Sequence, residues 1–199
     1  MPVEQVTTHY LRIHRDNFNE LVVGTPEDVT LVEMEEPSVE LAQFLFVSVG
    51  TPWRWFSRLN WHWEQWEAHL KQTSIRTWVV WYKGAVAGYF ELNIPAWSNA
   101  EDQDVEVNFI GLLPQFTGKG LGKWLVSSAI SLGFDSGASS VWLHTCSNDH
   151  PNALNNYLKC GFTLEKSEVV EESIPDLDSQ AWSSPEFHRS RLLKFYPTC

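Results

Sequence analysis

The stretch "LPQFTGKGLGKWLV", residues 113–126, places glycines at the alternate positions 118, 120 and 122 directly before a predicted helix. Glycine weakens a helix, and the whole chain contains only 11 glycines, so three at a helix start need a reason. Their spacing, GxGxG, fits neither the GxxxxGK of a P-loop nor the GxGxxG of a dinucleotide-binding turn. A strand, a glycine turn and a helix start together expose free backbone N–H groups at the positive end of a helix dipole, which predicts a cradle for a pyrophosphate.

Two lysines support an anion at this turn. Lys119 and Lys123 lie four residues apart at the start of the helix, where the helix dipole alone disfavours cations. The alternative interpretation is a tight turn that binds nothing, because glycine also serves wherever a chain turns sharply. The turn by itself leaves both interpretations open.

The order of predicted elements indicates the fold class. Alternating apolar residues and turn signals predict strands over residues 6–13, 29–33, 105–113, 140–145, 162–170 and 187–195, and a hairpin in "TWVVWYKGAVAGYFEL" that turns at Lys83 and Gly84. Helical patterns cover about residues 38–49, 61–71, 120–135 and 151–159. A hairpin followed by β-α-β-α-β predicts a mixed α/β fold, with helices on the faces of a mixed sheet.

Composition excludes several classes of protein. The chain has 199 residues and a net charge of −11, which suits one domain and disfavours nucleic acid as a partner. It contains no run of 18 apolar residues, and its first residues, "MPVEQVTTHY", lack the pattern of an export signal. Its three cysteines show neither a disulfide framework nor metal-ligand spacing. We therefore expect a cytoplasmic protein with reduced thiols, no membrane and no metal.

A second motif identifies a family resemblance. Residues 152–162, "NALNNYLKCGF", predict a short helix that carries Tyr157 and ends at Gly161. This motif resembles the A-x-x-x-Y-x-x-x-GF of the GCN5-related N-acetyltransferase (GNAT) superfamily, and "LLPQFTGKGLG" resembles the family's strand-turn-helix motif. The two motifs occur at the family's separation, and the resemblance covers residues 78–170.

The resemblance implies a domain layout. Residues 1–199 would form a single GNAT-like domain, whose mixed β-sheet is splayed at its centre and carries helices on both faces. Residues 1–74 would supply N-terminal strands and a tryptophan-rich helical arm on the acceptor side, residues 75–170 the acetyl-CoA-binding core, and residues 171–199 a C-terminal loop and strand.

The resemblance also implies acetyl-CoA as cosubstrate. The backbone of the central strand would pair with the pantetheine arm, and the cradle amides would hold the pyrophosphate. The implied binding residues are Ile110, Gly111, Leu112, Thr117, Gly118, Lys119, Gly120, Leu121, Gly122 and Lys123. Thr117 stands where the family motif has Gln or Arg, which removes a side-chain contribution. His150 occupies the place of a frequent family Asn, with Asn148 and Asp149 close by, and which of them replaces it stays open.

The chemistry requires a base for the amine, a donor for the carbonyl oxygen and an acid for the departing thiolate. By resemblance, Tyr157 is the expected acid and Glu106 the first candidate base. Glu91 on the preceding strand is the second candidate, and His144 the third. A period of two predicts that Glu106, Asn108 and Ile110 share one face of their strand.

The stretch "TPWRWFSRLNWHWEQW", residues 51–66, lies where this family builds its acceptor wall. Indole rings can hold an ammonium group, and arginines four apart can bind a carboxylate. The predicted acceptor residues are Trp53, Arg54, Trp55, Arg58 and His144. Alternatively, these tryptophans only pack the arm on the sheet.

Three functions are compatible with these features, and we give them in decreasing order of support. The first is an N-acetyltransferase that moves an acetyl group from acetyl-CoA directly to a primary amine of a small molecule or peptide through a ternary complex. The second is a non-catalytic acyl-CoA-binding or regulatory module, and the third an interaction domain that uses the tryptophan-rich arm. The acceptor amine is not determined by the sequence, and a homodimer is left open.

Overall fold

The β-hairpin at the centre of the chain forms as predicted. The computed structural model describes residues 3–18, 24–96 and 103–173. Lys83 and Gly84 both adopt left-handed conformations, with φ of 51° and 81°, which is the geometry of a tight hairpin turn. The turn joins two antiparallel strands, β3 (Ile75–Tyr82) and β4 (Ala85–Asn93).

The remaining strands extend this hairpin into one sheet. They are β1 (Val3–His14), β2 (Val29–Glu33), β5 (Asp104–Leu112), β6 (Ser140–Cys146) and β7 (Thr163–Ser173). The sheet has the order β2-β3-β4-β5-β6-β1-β7, and its one parallel pair among the described strands is β5 with β6. The strand predicted over residues 187–195 lies outside the described residues.

The sheet opens at its centre. β5 and β6 pair only at their first residues, from Asp104 opposite Ser140 to Glu106 opposite Trp142. Beyond these positions, β5 continues to Leu112 beside β4, and β6 continues to Cys146 beside β1. The edge of β5 that faces β6 is therefore free of strand pairing over residues 107–112, which confirms the predicted central splay.

Within the described residues, four α-helices cover the two faces of the sheet. They are α1 (Val39–Gly50), α2 (Trp63–Leu70), α3 (Leu121–Asp135) and α4 (Ala153–Lys159). α1 begins at Ser38, whose hydroxyl accepts the Leu41 N–H at 3.3 Å. α1 ends against Gly111 of β5, where an added Cβ would lie 2.5 Å from Val49. α3 lies on the opposite face, close enough that a Cβ on Gly133 would meet Val141 of β6 at 2.7 Å.

A β-bulge corrects one predicted face. β4 and β5 shift register between Glu91, opposite Phe109, and Leu92, opposite Val107, so Asn108 is an extra residue. Ile110 pairs with Phe90 and lies on the other face from Glu106. The prediction that these two side chains share a face is wrong because a strict period of two does not survive a bulge.

No helix in residues 3–18, 24–96 and 103–173 is long and apolar enough to cross a membrane.

Candidate active site

A cavity of about 1000 Å³ opens where β5 and β6 diverge. It extends from the turn before α3, along the free edge of β5, to the loop that follows α1, and α4 closes one side. The cavity is lined by most of the residues predicted from sequence: Trp53, Arg54, Trp55, Ile110, Gly111, Leu112, Thr117, Gly118, Gly120, Gly122, Lys123, His144 and Tyr157. Five predicted residues do not line it: Arg58, Glu91, Glu106, Lys119 and Leu121.

The glycine turn has the geometry of an anion site. Gly118 and Gly120 have φ of 74° and 79°, in the left-handed region that other residues rarely adopt. An added Cβ at either position would meet no atom within 4 Å, so the space in front of the turn is open. Among the described residues, no side chain caps the N-terminus of α3, so its first N–H groups are available to a ligand. This arrangement fits the pyrophosphate of acetyl-CoA.

Tyr157 reaches the cavity from α4. The residue is 8% exposed, and its ring contacts Phe162 edge-on with centroids 6.1 Å apart. Burial, assisted by the nearby charge of Asp149, raises the pKa of Tyr157 well above its usual value. The phenol therefore keeps its proton at neutral pH.

Glu91 is enclosed in a buried ion pair. Arg58 donates two hydrogen bonds to its carboxylate, at 2.8 and 2.6 Å. His69 Nε2 lies 3.1 Å from the same carboxylate, and Asn108 donates to it at 2.8 Å. Burial alone would raise the pKa of Glu91, but the hydrogen bonds and charges of Arg58 and His69 outweigh it and hold the pKa at about 2.

Arg58 shares this enclosure with aromatic rings. Its guanidinium lies 4.5 Å from the ring centroid of Phe109, 4.9 Å from that of Trp61 and 5.7 Å from that of Trp66. Because Arg58 is 7% exposed and paired internally, it does not face the cavity where a substrate carboxylate was predicted to bind.

Glu106 lies just behind the cavity wall. Its carboxylate is 4.0 Å from Nδ1 of His144, which does line the cavity. Burial raises the pKa of Glu106, with the charge of Glu91 adding to the effect and His144 opposing it. His144 is therefore a cavity-lining side chain within 4.0 Å of the Glu106 carboxylate.

The tryptophan-rich arm divides into two parts. Trp61 and Trp66 pack against each other, with centroids 5.2 Å apart. Trp53 and Trp55 line the cavity, and Trp53 contacts the ring of His150 at 5.0 Å. The packing interpretation therefore fits Trp61 and Trp66, whereas Trp53 and Trp55 lie where an acceptor wall was predicted.

Several cavity residues were not selected from the sequence. Asp149 lines the cavity, and its carboxylate accepts from the Thr145 hydroxyl at 2.6 Å and from the Cys146 N–H at 3.0 Å. Asn108, Cys146 and Glu172 also line it. The available signal was the place of Asp149 in the turn after β6, close to the position of the family Asn, for which the sequence left His150, Asn148 and Asp149 open.

Solved structures share this fold. A GCN5-related N-acetyltransferase from Kribbella flavida is 17% identical, with 88% of this chain and 61% of that chain covered and a TM-score of 0.58. An aminoglycoside acetyltransferase from an uncultured soil metagenomic sample, in complex with trehalose, is 15% identical, with coverages of 76% and 97% and a TM-score of 0.59. A Bacillus subtilis acetyltransferase in complex with CoA is 24% identical, with coverages of 68% and 76% and a TM-score of 0.50.

The chain thus spans about three fifths of the length of the Kribbella flavida protein. The profile described as the Acetyltransferase (GNAT) family matches residues 40–162, which is more than half of the chain. The glycine turn, the splayed strands and the Tyr157 helix all fall within or beside the cavity built by those residues. The chain belongs to the GNAT acetyltransferase family.

Proposed function

We propose that this protein is an N-acetyltransferase that moves an acetyl group from acetyl-CoA directly to a primary amine. One observation carries the proposal: a single cavity is lined by an uncapped helix N-terminus with its glycine turn, by the free edge of β5 and by a buried tyrosine. An anion site, a backbone edge and a proton donor are the parts that acyl transfer from a CoA thioester requires.

The binding residues divide by position along the cavity. The amides of residues 117–123 bind the pyrophosphate, and Lys119 and Lys123 add positive charge around it. The unpaired edge at Ile110, Gly111 and Leu112 bonds the pantetheine arm and offers N–H groups to the thioester carbonyl. Tyr157 protonates the departing sulfur.

The thiol in the cavity supports transfer without an acyl-enzyme. Burial, reinforced by the charge of Asp149, raises the pKa of the Cys146 thiol. A protonated thiol is a poor nucleophile, so Cys146 is unsuited to carry the acetyl group. Direct attack by the amine on acetyl-CoA in a ternary complex does not require transfer of the acetyl group to Cys146.

The candidate bases have different access to the amine. Glu106 would act through His144, with which it shares the wall between β5 and β6. Glu91 is saturated by its buried partners, and we assign it a positioning role: it holds Asn108 at the cavity wall through their hydrogen bond.

The acceptor is an amine of a small molecule or peptide, bound against Trp53 and Trp55. Indole faces attract an ammonium group. Arg54 lies beside them and is paired with Glu4 at 2.6 Å, so its charge is compensated. One protein of similar fold is described as an aminoglycoside acetyltransferase, and aminoglycosides are small molecules that carry amines. This description supports a small-molecule amine as the acceptor here.

The test combines binding with turnover. Acetyl-CoA should raise the melting temperature, whereas NAD and ATP should raise it much less. Free CoA should then be released when putrescine, spermidine, lysine, tyramine or kanamycin is added. Stabilisation without CoA release from any of these amines would favour the non-catalytic module, and equal stabilisation by all three nucleotides would contradict an acetyl-CoA site.

A further inference from the structure

In the part of the chain that the structure describes, two acidic residues line the cavity, and neither is a base candidate from the sequence. Within the described part of the chain, the acidic residues that line it are Asp149 and Glu172. Glu91 is enclosed by Arg58, and Glu106 does not line the cavity, although it lies 4.0 Å from Nδ1 of His144, which does. A group that takes a proton from the acceptor has to reach the space where the acceptor lies.

Asp149 is held in place by neutral donors. Its turn is closed by its own N–H, which donates to the Cys146 carbonyl at 3.0 Å. One carboxylate oxygen accepts from Thr145 and from the Cys146 N–H, and the other lies 3.5 Å from Nε1 of Trp55. No arginine or lysine in the described ranges forms an ion pair with Asp149, so its negative charge is not neutralised by the fold.

The contact with Trp55 crosses the gap in the sheet. Trp55 belongs to the loop after α1, while Asp149 follows β6 on the other side of the splay. The indole packs on Phe109 with centroids 5.0 Å apart, which fixes the N–H that points to Asp149. The carboxylate thus stands at the predicted acceptor wall.

Tyr157 is the second polar group at this end. It is 8% exposed, it lines the same cavity, and among the described residues its hydroxyl has no hydrogen-bond partner. Its pKa is raised in part by the charge of Asp149, which agrees with the two groups lying near each other. A proton donor and a carboxylate that forms no ion pair with a described lysine or arginine therefore line the same cavity.

We propose that Asp149 is the general base that receives the proton of the acceptor amine. This assignment rests on the proposed N-acetyltransferase function. The ammonium gives one proton to Asp149, which passes it to water, and the nitrogen lone pair forms the C–N bond to the acetyl carbon. The C–S bond breaks, Tyr157 gives its proton to the sulfur, and the tyrosinate takes back the second nitrogen proton. The net products are the amide, CoA thiol and one proton in solution.

The test compares three carboxylates. Asp149→Asn keeps the size and one acceptor oxygen, Glu172→Gln removes the other cavity carboxylate, and Glu106→Gln removes the residue behind His144. With the best amine of the panel, Asp149→Asn should lower turnover at neutral pH by about 10²-fold, and the loss should shrink as pH rises toward the pKa of the amine. The variant should keep the full thermal shift with acetyl-CoA.

The outcomes separate this assignment from the function on which it rests. Absence of CoA release from the wild type with every amine would overturn both. Wild-type turnover of Asp149→Asn, a loss that is independent of pH, or a larger pH-dependent loss in Glu106→Gln would overturn the role of Asp149 alone. If acetyl-CoA no longer raised the melting temperature of Asp149→Asn, Asp149 would have a structural role, and its assignment as the base would be overturned as well. A pH-dependent loss in Glu172→Gln as large as that in Asp149→Asn would also overturn the role of Asp149, and Glu67→Gln, an exposed carboxylate outside the cavity, should stay within about threefold of the wild type.

Discussion

At the scale of single residues, Tyr157 offers the most direct test of the chemistry. Tyr157→Phe keeps the ring in its buried place beside Phe162 and removes only the hydroxyl. We expect turnover to fall at least about tenfold, because a thiolate leaves readily and general acids contribute about 10²–10⁴-fold where the bond is harder to break. Acetyl-CoA should stabilise the variant as it does the wild type. Tyr89→Phe, a buried tyrosine outside the cavity, is the matched control, and unchanged single-turnover rates in Tyr157→Phe would make Tyr157 structural.

Glu91 carries the main prediction about stability. Glu91→Gln would leave the Arg58 guanidinium buried with no charged partner, which costs about 3–5 kcal/mol of unfolding free energy in comparable pairs. Glu67→Gln is the control, since Glu67 forms an exposed pair with Lys71 and its loss should cost under about 0.5 kcal/mol. Urea unfolding of both variants at neutral pH gives the comparison. Equal midpoints would contradict the assignment of Glu91 to the fold.

Glu91 also predicts how the free energy of unfolding depends on pH. The folded pKa of Glu91, about 2, lies below its usual value of 4.5, so its stabilising effect is present above pH 4.5 and is lost as pH falls toward 2. Unfolding free energy of the wild type should therefore fall across that window more steeply than that of Glu91→Gln. Identical slopes for the two proteins would contradict the depressed pKa.

Residues differ in how far the sequence reveals them. The place of Tyr157 in the cavity could be predicted, because its helix and the following Gly161 form a local motif that resembles the family's. The pairing of Arg58 with Glu91 was not, since 33 residues separate them and their contact depends on how the α1–α2 segment packs on β4. Asp149 was considered only as one possible replacement for the family Asn, because its contact with Trp55, on which the proposed role depends, joins residues 94 positions apart.

At the scale of elements, the glycine turn before α3 can be tested with a matched pair. Gly120 and Gly84 both have φ near 80° and open space around the position of an added Cβ, so an aspartate at either site costs about 1 kcal/mol of backbone strain. Only Gly120→Asp also puts a negative side chain in front of the amides of α3. We expect Gly120→Asp to abolish the thermal shift with acetyl-CoA and Gly84→Asp to retain it. Loss of the thermal shift in both variants would instead indicate a general effect of backbone strain.

At this scale, features that depend on a few neighbouring residues were predicted correctly from the sequence. Features that depend on contacts between distant residues were not predicted. The Lys83–Gly84 turn and the Ser38 cap were readable because two or three residues determine each. The bulge at Asn108 was not, because one extra residue in a strand leaves its composition unchanged. Likewise, nothing local indicates that β1 inserts between β6 and β7.

At the scale of the whole molecule, the splay divides the sheet into two parts. β2, β3, β4 and β5 form one part, and β6, β1 and β7 the other, joined by the short β5–β6 ladder and by α3, which contacts both. A ligand that bonds the free edge of β5 and reaches α4 would tie the parts together. Binding should thus stabilise the fold by about 2.7 kcal/mol at a concentration about 100-fold above Kd.

This division predicts where acetyl-CoA should slow amide exchange. In the free protein, the N–H groups of residues 107–112 that point toward β6 have no strand partner. They should therefore exchange faster than the paired N–H groups of a central strand. Acetyl-CoA should protect peptides that cover residues 107–112 and 117–123, because we propose that its pantetheine and pyrophosphate bond those amides. Peptides from β2 and β3, far from the splay, should change much less, which separates local contact from global stabilisation. Hydrogen–deuterium exchange followed by mass spectrometry measures both sets at once, and a rise in melting temperature without protection over residues 107–112 would place acetyl-CoA elsewhere on the protein.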